Sequence, residues 1–520
     1  MLSAVISKFL GAFFKIPLTN LLGGVGMGYF SCAYSIFMPV YALTVTGLTT
    51  SVAHITAKSI SRGNYAEIKQ IRRTALVLYS LFGIIGMLFI ILSAVPLSRF
   101  SVGDTQAYGA VILIAPTVFF SCITAVERGI YEGMCNMYPT AVSQIIEGIV
   151  KVLSGLGMCR YAVKNPEIIT HWFPNVTDIR AVGAMGGILG VTLSSAVSMV
   201  FLAVPVLFRR RKNSSVKSSK KDSRIIAREL TAVALPTGIS ALISNMTSLI
   251  DMWTITACLS AAEYSISGIS ADEMPYFVYG SFSGIAVTVF NLVPSVTNML
   301  GKGTLTCVTD AYEKKDGILL RNSTVQALSM AFVTALPCAV GLYVLSEEVL
   351  SFLFPVQTDE TAICVVPLKL MMTGMVCLCL SYPLFSMLQA VGKPTAPLKI
   401  MLTGTAVKLI CNLLLVSEKG INGAAVSTSV CYLFVLVLSL AVYLRTVKIK
   451  LCVKPFIKTA FSGLVCGLTA WLTAEYSRHL GMSDFGIIIS SALTGGIAYI
   501  SMLFALFVSW SVKGSVRKAE

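Results

Sequence analysis

The sequence predicts an all-α polytopic membrane protein with about fourteen transmembrane helices, each of the length that crosses a bilayer. Three observations predict this fold: the composition, apolar stretches of helix length, and loop charge that changes from one stretch to the next. The 520 residues are 55% hydrophobic and only 12% charged, with a mean hydropathy of +0.80. This composition excludes an ordinary soluble protein.

The apolar stretches recur along the whole chain. Each is close to the roughly 20 residues that an α-helix needs to cross a hydrocarbon core of about 30 Å. In chain order the predicted spans are 2–19, 28–54, 74–98, 107–127, 139–161, 181–208, 229–256, 275–298, 323–345, 362–389, 394–416, 421–444, 455–475 and 485–510.

The loops between these spans differ in charge. Lys and Arg concentrate after the second, eighth and twelfth spans, whereas loops 258–274 and 346–361 contain acids and no Lys or Arg. Loop 162–180 is less clear, since it holds Lys164 and Arg180. Because basic loops stay on the cytoplasmic side, we expect a multi-pass protein of the cytoplasmic membrane with both termini in the cytoplasm.

The net charge is +16. In a soluble domain this charge would suggest nucleic acid, but here the excess is spread over loops that face anionic lipid. We therefore expect membrane lipid, and no nucleic acid, as a partner. The most strongly basic segment is also rich in serine, a composition that is typical of a flexible linker. It divides the chain into a lobe at 1–208, a linker at 209–224, a lobe at 225–446, and two added helices with a tail at 447–520.

The two predicted lobes share a pattern. Residues 137–141 (MYPTA) precede the fifth span and residues 392–396 (GKPTA) precede the eleventh, and these spans contain Lys151 and Lys408. Six spans is an even number, so both lobes enter the membrane from the same side and are related by a pseudo-two-fold axis along its normal. Two such bundles around a cleft are typical of alternating-access transporters.

Charged residues inside the spans are the candidate binding site. The first span carries Lys8 and Lys15, and a lysine near the bilayer centre costs roughly 2.5 to 3.5 kcal/mol. Lysines retained there are expected to face a polar cavity, and a cationic cavity suits an anionic cargo. The candidate substrate-binding residues are Lys8, Lys15, Arg128, Glu147, Lys151, Asp251 and Lys408, with Arg128 at the cytoplasmic mouth.

Each candidate has a structural alternative. Lys8 and Lys15 could extend toward the two membrane interfaces. Glu147 and Lys151 are four residues apart on one helix face and could neutralise each other. Asp251 could pair with a lysine, cap a kink or couple transport to an ion.

Two blocks of sequence resemble the stage V sporulation protein B branch of the polysaccharide exporters in the MOP superfamily. The first comprises Ser7-Lys8-x-Leu10-Gly11, Lys15-Ile16-Pro17-Leu18 and Leu22-Gly23-x-x-Gly26-x-Gly28, and the second runs from Arg128-Gly129 through Pro139-Thr140-Ala141 to Glu147 and Lys151-Val152. The resemblance extends over nearly the whole chain and implies two six-helix lobes with two C-terminal helices. Members of the branch have a longer first span. Either the true start lies upstream of Met1, which we expect, or this copy has lost part of its first helix.

The resemblance implies a flippase, not an enzyme. Its substrate would be a polyprenyl diphosphate oligosaccharide or a peptidoglycan precursor for the spore cortex or cell envelope, handled by a monomer. Ammonium groups can hold a diphosphate as point charges. Two other functions stay open. A drug or cation antiporter of the MATE type would want a carboxylate in the first span, which has none. A membrane enzyme acting on the same lipid would want a long polar outer loop.

The remaining patterns predict structure. The fourteen cysteines form no CxxC pair, and the three histidines stand apart. We therefore expect no metal site and no cofactor. The small-residue repeats Gly183-x-x-x-Gly187, Gly186-x-x-x-Gly190 and Gly463-x-x-x-Gly467 predict close helix contacts.

Overall fold

The structure is a computed structural model that describes residues 2–62, 64–102, 106–208, 223–261, 273–314, 316–393, 395–449 and 451–516. In these ranges every regular element is helical. The elements are α1 (Leu2–Tyr41), a π-helical segment (Ala42–Thr46), α2 (Gly47–Ser61), α3 (Tyr65–Val102), α4 (Tyr108–Gly133), α5 (Tyr138–Lys164), α6 (Pro166–Trp172), α7 (Ile179–Phe208), α8 (Ser223–Ala261), α9 (Met274–Ser281), a second π-helical segment (Phe282–Ala286), α10 (Val287–Phe290), α11 (Leu292–Glu313), α12 (Gly317–Val344), α13 (Ser346–Leu353), α14 (Thr358–Ala390), α15 (Ala396–Lys419), α16 (Ile421–Val447), α17 (Lys454–His479) and α18 (Asp484–Val516).

The predicted all-α membrane fold is confirmed. Within the described ranges, twelve helices are long and apolar enough to cross a membrane, or thirteen if the bent pair Met274–Phe290 and Leu292–Asn298 is one span. The first of them, Phe9–Ser61, has 53 residues. At 1.5 Å per residue it would be roughly 80 Å long, far more than one crossing of a core of about 30 Å needs.

A break at Gly23 divides this long stretch. Gly23 has φ 67° and ψ −177°, a conformation that glycine reaches at little cost and that interrupts α1. The break falls between the first two predicted spans. Counting its two sides as two spans, and the bent pair as one span, gives the fourteen spans that the sequence predicts.

The described helices group into two compact units, Met1–Gly284 and Ile285–Glu520. Helices α8 and α9 belong to the first unit because they pack against α1, and α8 also packs against α2 and α3. The predicted division at the 209–224 linker stays a prediction, since residues 209–222 lie outside the described part of the chain.

Small residues allow close packing in the first unit. A Cβ atom on Gly190 of α7 would lie 2.2 Å from the Cα of Gly155 in α5, and one on Gly186 would lie 2.6 Å from the Met158 carbonyl oxygen. The helix contacts predicted from the repeat of residues 183–190 are therefore confirmed.

Two further crossings in this unit are equally close. A Cβ atom on Gly280 of α9 would lie 1.8 Å from the carbonyl oxygen of Gly24 and 2.4 Å from the amide nitrogen of Gly28, both in α1. A Cβ atom on Gly47 of α2 would lie 2.3 Å from the Ala234 carbonyl oxygen in α8. Backbone therefore meets backbone at both places.

The second unit has a core built from α11, α12, α14, α15 and α16. The last two helices, α17 and α18, pack on each other and against α12 and α13. A Cβ atom on Gly463 of α17 would lie 2.4 Å from Leu336 Cδ2, and one on Gly467 would lie 2.6 Å from Val340 Cγ1, so both glycines contact α12 closely and the third predicted contact is confirmed. Glu348 of α13 is buried and forms an ion pair with Arg478 of α17.

Candidate functional site

Lys151 of α5 is held by aromatic side chains of α1. Its Nζ atom donates a hydrogen bond of 2.7 Å to the hydroxyl oxygen of Tyr34 and lies 5.2 Å from the ring centroids of both Phe14 and Tyr34. Cation–π contacts of this kind are worth roughly 0.5 to 2 kcal/mol, the larger values applying where water is excluded. These contacts fix the direction of the Lys151 amine. None of them is with an acidic side chain.

The pairing of α1 with α5 produces this arrangement. Phe14 is buried, and its ring lies where a Cβ atom on Gly155 would be, so the missing side chain at Gly155 makes room for it. Gly155 is one turn beyond Lys151 on the same face of α5. The small residue brings α1 close enough for Phe14 and Tyr34 to enclose the lysine.

Lys15 lies beside Lys151. The two ammonium groups are close enough for their charges to interact unfavourably. Lys15 is half-buried and therefore keeps accessible surface. Two cations held together in an apolar region attract a multiply charged anion, since an anion between them relieves their repulsion.

Arg128 forms the second polar cluster of the first unit. Its Nε atom donates to Ser143 at 2.9 Å, and its Nη2 atom donates to Glu147 at 2.8 Å and to Ser198 at 3.1 Å. Glu147 therefore pairs with Arg128 of α4, while Lys151, one turn further along α5, binds Tyr34. These contacts differ from the alternative in which Glu147 and Lys151 neutralise each other.

Tyr41 lies between the two clusters. Its hydroxyl group interacts electrostatically with Glu147, Arg128 and Tyr34. Arg128 and Glu147 together with Lys15 and Lys151 thus border the same stretch of α1.

An ion pair that the sequence did not predict lies beside Arg128. Arg72 of α3 donates from Nε to Glu127 of α4 at 2.8 Å, and the Glu127 side chain is only 4% exposed. From the sequence alone Arg72 counted only as a basic loop residue. The sequence signal for this ion pair was the adjacent acidic and basic residues Glu127-Arg128. That signal identifies Arg72 as the partner of Glu127 only when the packing of α3 on α4 is known.

The other candidates take no part in the contacts given above, or their side chains are outside the described part of the structure. Asp251 of α8 is half-buried and interacts electrostatically with Tyr279, whose hydroxyl group hydrogen-bonds to Ser35 at 2.9 Å. Lys408 belongs to the second unit, where it is 3% exposed and one turn from Asn412, a hydrogen-bond partner of Ser427. The backbone of Lys8 is part of α1, but its side chain lies outside the described part of the structure.

The sequence analysis missed Tyr34, Tyr41 and Phe14. A signal for the tyrosines was present: residues 30, 34, 37 and 41 are aromatic and recur every three or four positions, which places them on one face of a helix. In a chain so rich in apolar residues that stripe resembles an ordinary core face. Across the described residues no three His, Cys, Asp or Glu side chains gather to hold a metal ion.

Two known proteins are similar to this chain over nearly its whole length. The stage V sporulation protein B of Bacillus subtilis strain 168 is 23% identical over 512 residues, covering 97% of this chain and 93% of that protein. The lipid II flippase MurJ of the same strain is 20% identical over 526 residues, covering 96% and 92%.

Solved structures share the fold. The inward closed conformation of a lipid II flippase MurJ matches with a TM-score of 0.72 at 13% identity and covers 98% of both chains. An inward-facing MATE family transporter of the MOP superfamily matches with a TM-score of 0.64 at 16% identity, covering 85% of this chain and 93% of that one. The family model described as lipid II flippase MurJ matches residues 34–491. The chain therefore belongs to the MurJ family.

Proposed function

We propose that this protein is an alternating-access flippase that moves a polyprenyl diphosphate oligosaccharide or a peptidoglycan precursor across the cytoplasmic membrane. The observation that carries the proposal is Lys151, held against Tyr34 and Phe14 beside Lys15 within apolar helices. A diphosphate is the part of such a lipid that two neighbouring ammonium groups bind as point charges. Membership of the MurJ family supports the same substrate class.

The reaction needs no bond to be broken. The lysines would replace water around the diphosphate while the polyprenyl chain stays in hydrocarbon, so the protein acts as a transporter and not as an enzyme. The relative named stage V sporulation protein B supports a role in spore cortex or envelope synthesis. The basic loops support a cytoplasmic position for both termini, so that a substrate made in the cytoplasm would enter past Arg128.

A MATE-type antiporter is the second candidate function. The MATE structures share the fold at 16% identity or below and cover 85% to 86% of the chain. The sequence holds no Asp or Glu before Glu67, so the first two spans offer no carboxylate that could exchange a cation for a proton. The paired lysines would also repel a cationic drug.

Transport by lysine variants tests the proposal. In liposomes containing fluorescent lipid II or another polyprenyl diphosphate sugar, Lys15→Ala and Lys151→Ala should each lower the flipping rate at least about tenfold, because each removes one charge that replaces water at the diphosphate. Lys151→Arg should retain much of the rate, since it keeps the charge. Lys399→Ala is the matched control, because Lys399 is exposed on α15. Wild-type rates in both alanine variants, with normal membrane insertion, would disprove the charged site.

A further inference from the structure

An aromatic stripe follows one face of α1 between the two charged clusters. It consists of Phe30, Tyr34, Phe37 and Tyr41. Successive ring centroids are 5.2, 5.8 and 5.2 Å apart. These distances lie in the range of favourable ring pairs, so the four rings support one another as a continuous surface.

The members of the stripe differ in burial. Phe30 and Phe37 are buried, whereas Tyr34 and Tyr41 are half-buried. Tyr41 is within electrostatic range of Glu147 and Arg128 and still keeps accessible surface. The two tyrosines therefore carry the accessible surface of the stripe, and the two phenylalanines are packed within the protein.

The two tyrosines of the stripe lie near different kinds of charge. The Tyr34 hydroxyl accepts a hydrogen bond from Lys151, which lies near Lys15. Tyr41 is within electrostatic range of Glu147 and Arg128, and the Glu147 side chain is 29% exposed. One helical turn of α5 separates Lys151 from Glu147, so phosphate-binding cations and hydrogen-bonding groups lie roughly 6 Å apart along the helix axis.

This order matches the chemistry of a glycosylated lipid diphosphate, in which a sugar ring follows the phosphates. The face of an aromatic ring carries negative partial charge and attracts the polarised C–H groups of a sugar ring. Carboxylate and guanidinium groups hydrogen-bond strongly to hydroxyl and amide groups. A bare lipid diphosphate would use the lysines and leave the tyrosines unoccupied.

We infer that Tyr41 and the accessible face of Tyr34, together with the Glu147–Arg128 pair, form a carbohydrate subsite that binds the first sugar of the substrate. The inference rests on the proposed function and assigns a separate part of the same site. Lys15 and Lys151 hold the diphosphate, and the tyrosine surface distinguishes a glycosylated lipid from an unglycosylated one.

Binding of two lipids tests the subsite. The purified full-length chain in nanodiscs is titrated with polyprenyl diphosphate and with polyprenyl diphosphate carrying one N-acetylhexosamine. The wild type should bind the glycosylated lipid more tightly. Tyr41→Leu, which keeps an apolar side chain of similar bulk, should weaken binding of the glycosylated lipid about fivefold and leave binding of the bare lipid unchanged. Tyr41→Phe keeps the ring and should retain most of the preference.

The controls separate the subsite from the proposed function. Tyr161→Leu changes an exposed tyrosine at the end of α5 and should bind both lipids like the wild type. Lys151→Ala should weaken both lipids. Equal wild-type affinity for the two lipids, or an equal loss for both in Tyr41→Leu, would overturn the subsite and leave the flippase intact. Wild-type protein that binds neither lipid would overturn the proposed function itself.

Discussion

At the scale of residues, the charges could be located from the sequence but their partners could not. Lys15, Lys151, Arg128 and Glu147 are conspicuous because charge is rare in apolar spans. Tyr34 is 117 positions from Lys151, and its hydrogen bond exists only because α1 packs on α5. The spacing of Glu147 and Lys151 suggested a pair on one helix, whereas Arg128 of α4 supplies the cation that Glu147 binds.

The Arg128 cluster leads to a prediction for stability. Glu147→Ala leaves a guanidinium that is only 14% exposed without its carboxylate, which should cost about 1 to 3 kcal/mol. Combining it with Arg128→Met removes the unpaired charge and should restore much of the loss. Thermal unfolding in detergent measures both, with Glu167→Ala on α6 as an exposed control. A double variant no more stable than Glu147→Ala would contradict the ion-pair explanation.

At the scale of helices, most spans could be predicted because an apolar stretch of about 20 residues has few alternatives. The break at Gly23 falls between the first two predicted spans, but its left-handed backbone angle is a structural finding. The two π-helical segments, Ala42–Thr46 and Phe282–Ala286, were not predicted either. Such segments arise from local packing and not from hydrophobic periodicity, and they occur often at functional positions.

The glycine crossing of α1 and α9 leads to a second prediction. A methyl group at Gly280 would overlap the backbone at Gly24 and Gly28, so Gly280→Ala must force the two helices apart. We expect a melting temperature several degrees lower and slower flipping. Gly341→Ala on α12 is the control, because no atom lies within 4 Å of the added methyl group and alanine favours a helix by about 1 kcal/mol. Equal melting temperatures for the two variants would show that the crossing tolerates side chains.

At the scale of the whole molecule, composition predicted an all-α membrane protein, and the predicted family and fold class are confirmed. The predicted division into two lobes and a linker stays a prediction. The repeat favours a division at residues 209–224, whereas α8 and α9 pack with the first unit of the described structure. A repeat in sequence reports how a chain was duplicated, and packing depends on which surfaces meet after folding.

The predicted orientation can be tested on intact cells. In a background without the other cysteines, a membrane-impermeant thiol reagent should label the Asp359→Cys variant, because loop 346–361 lacks Lys and Arg and is expected outside. Native Cys135, exposed in the loop between α4 and α5, should react only after the cells are opened. Labelling of Cys135 in sealed cells would reverse the proposed topology.

The ion pair between Glu348 and Arg478 has a practical consequence. Together with the hydrogen bond of 2.9 Å from the Tyr499 hydroxyl to the Val333 carbonyl oxygen, it attaches α17 and α18 to α12 and α13 at two separate points. We therefore expect the last two helices to move together with α12. A fluorophore or spin label on the exposed side of α17, for example at Leu468, would act as a reporter of α12.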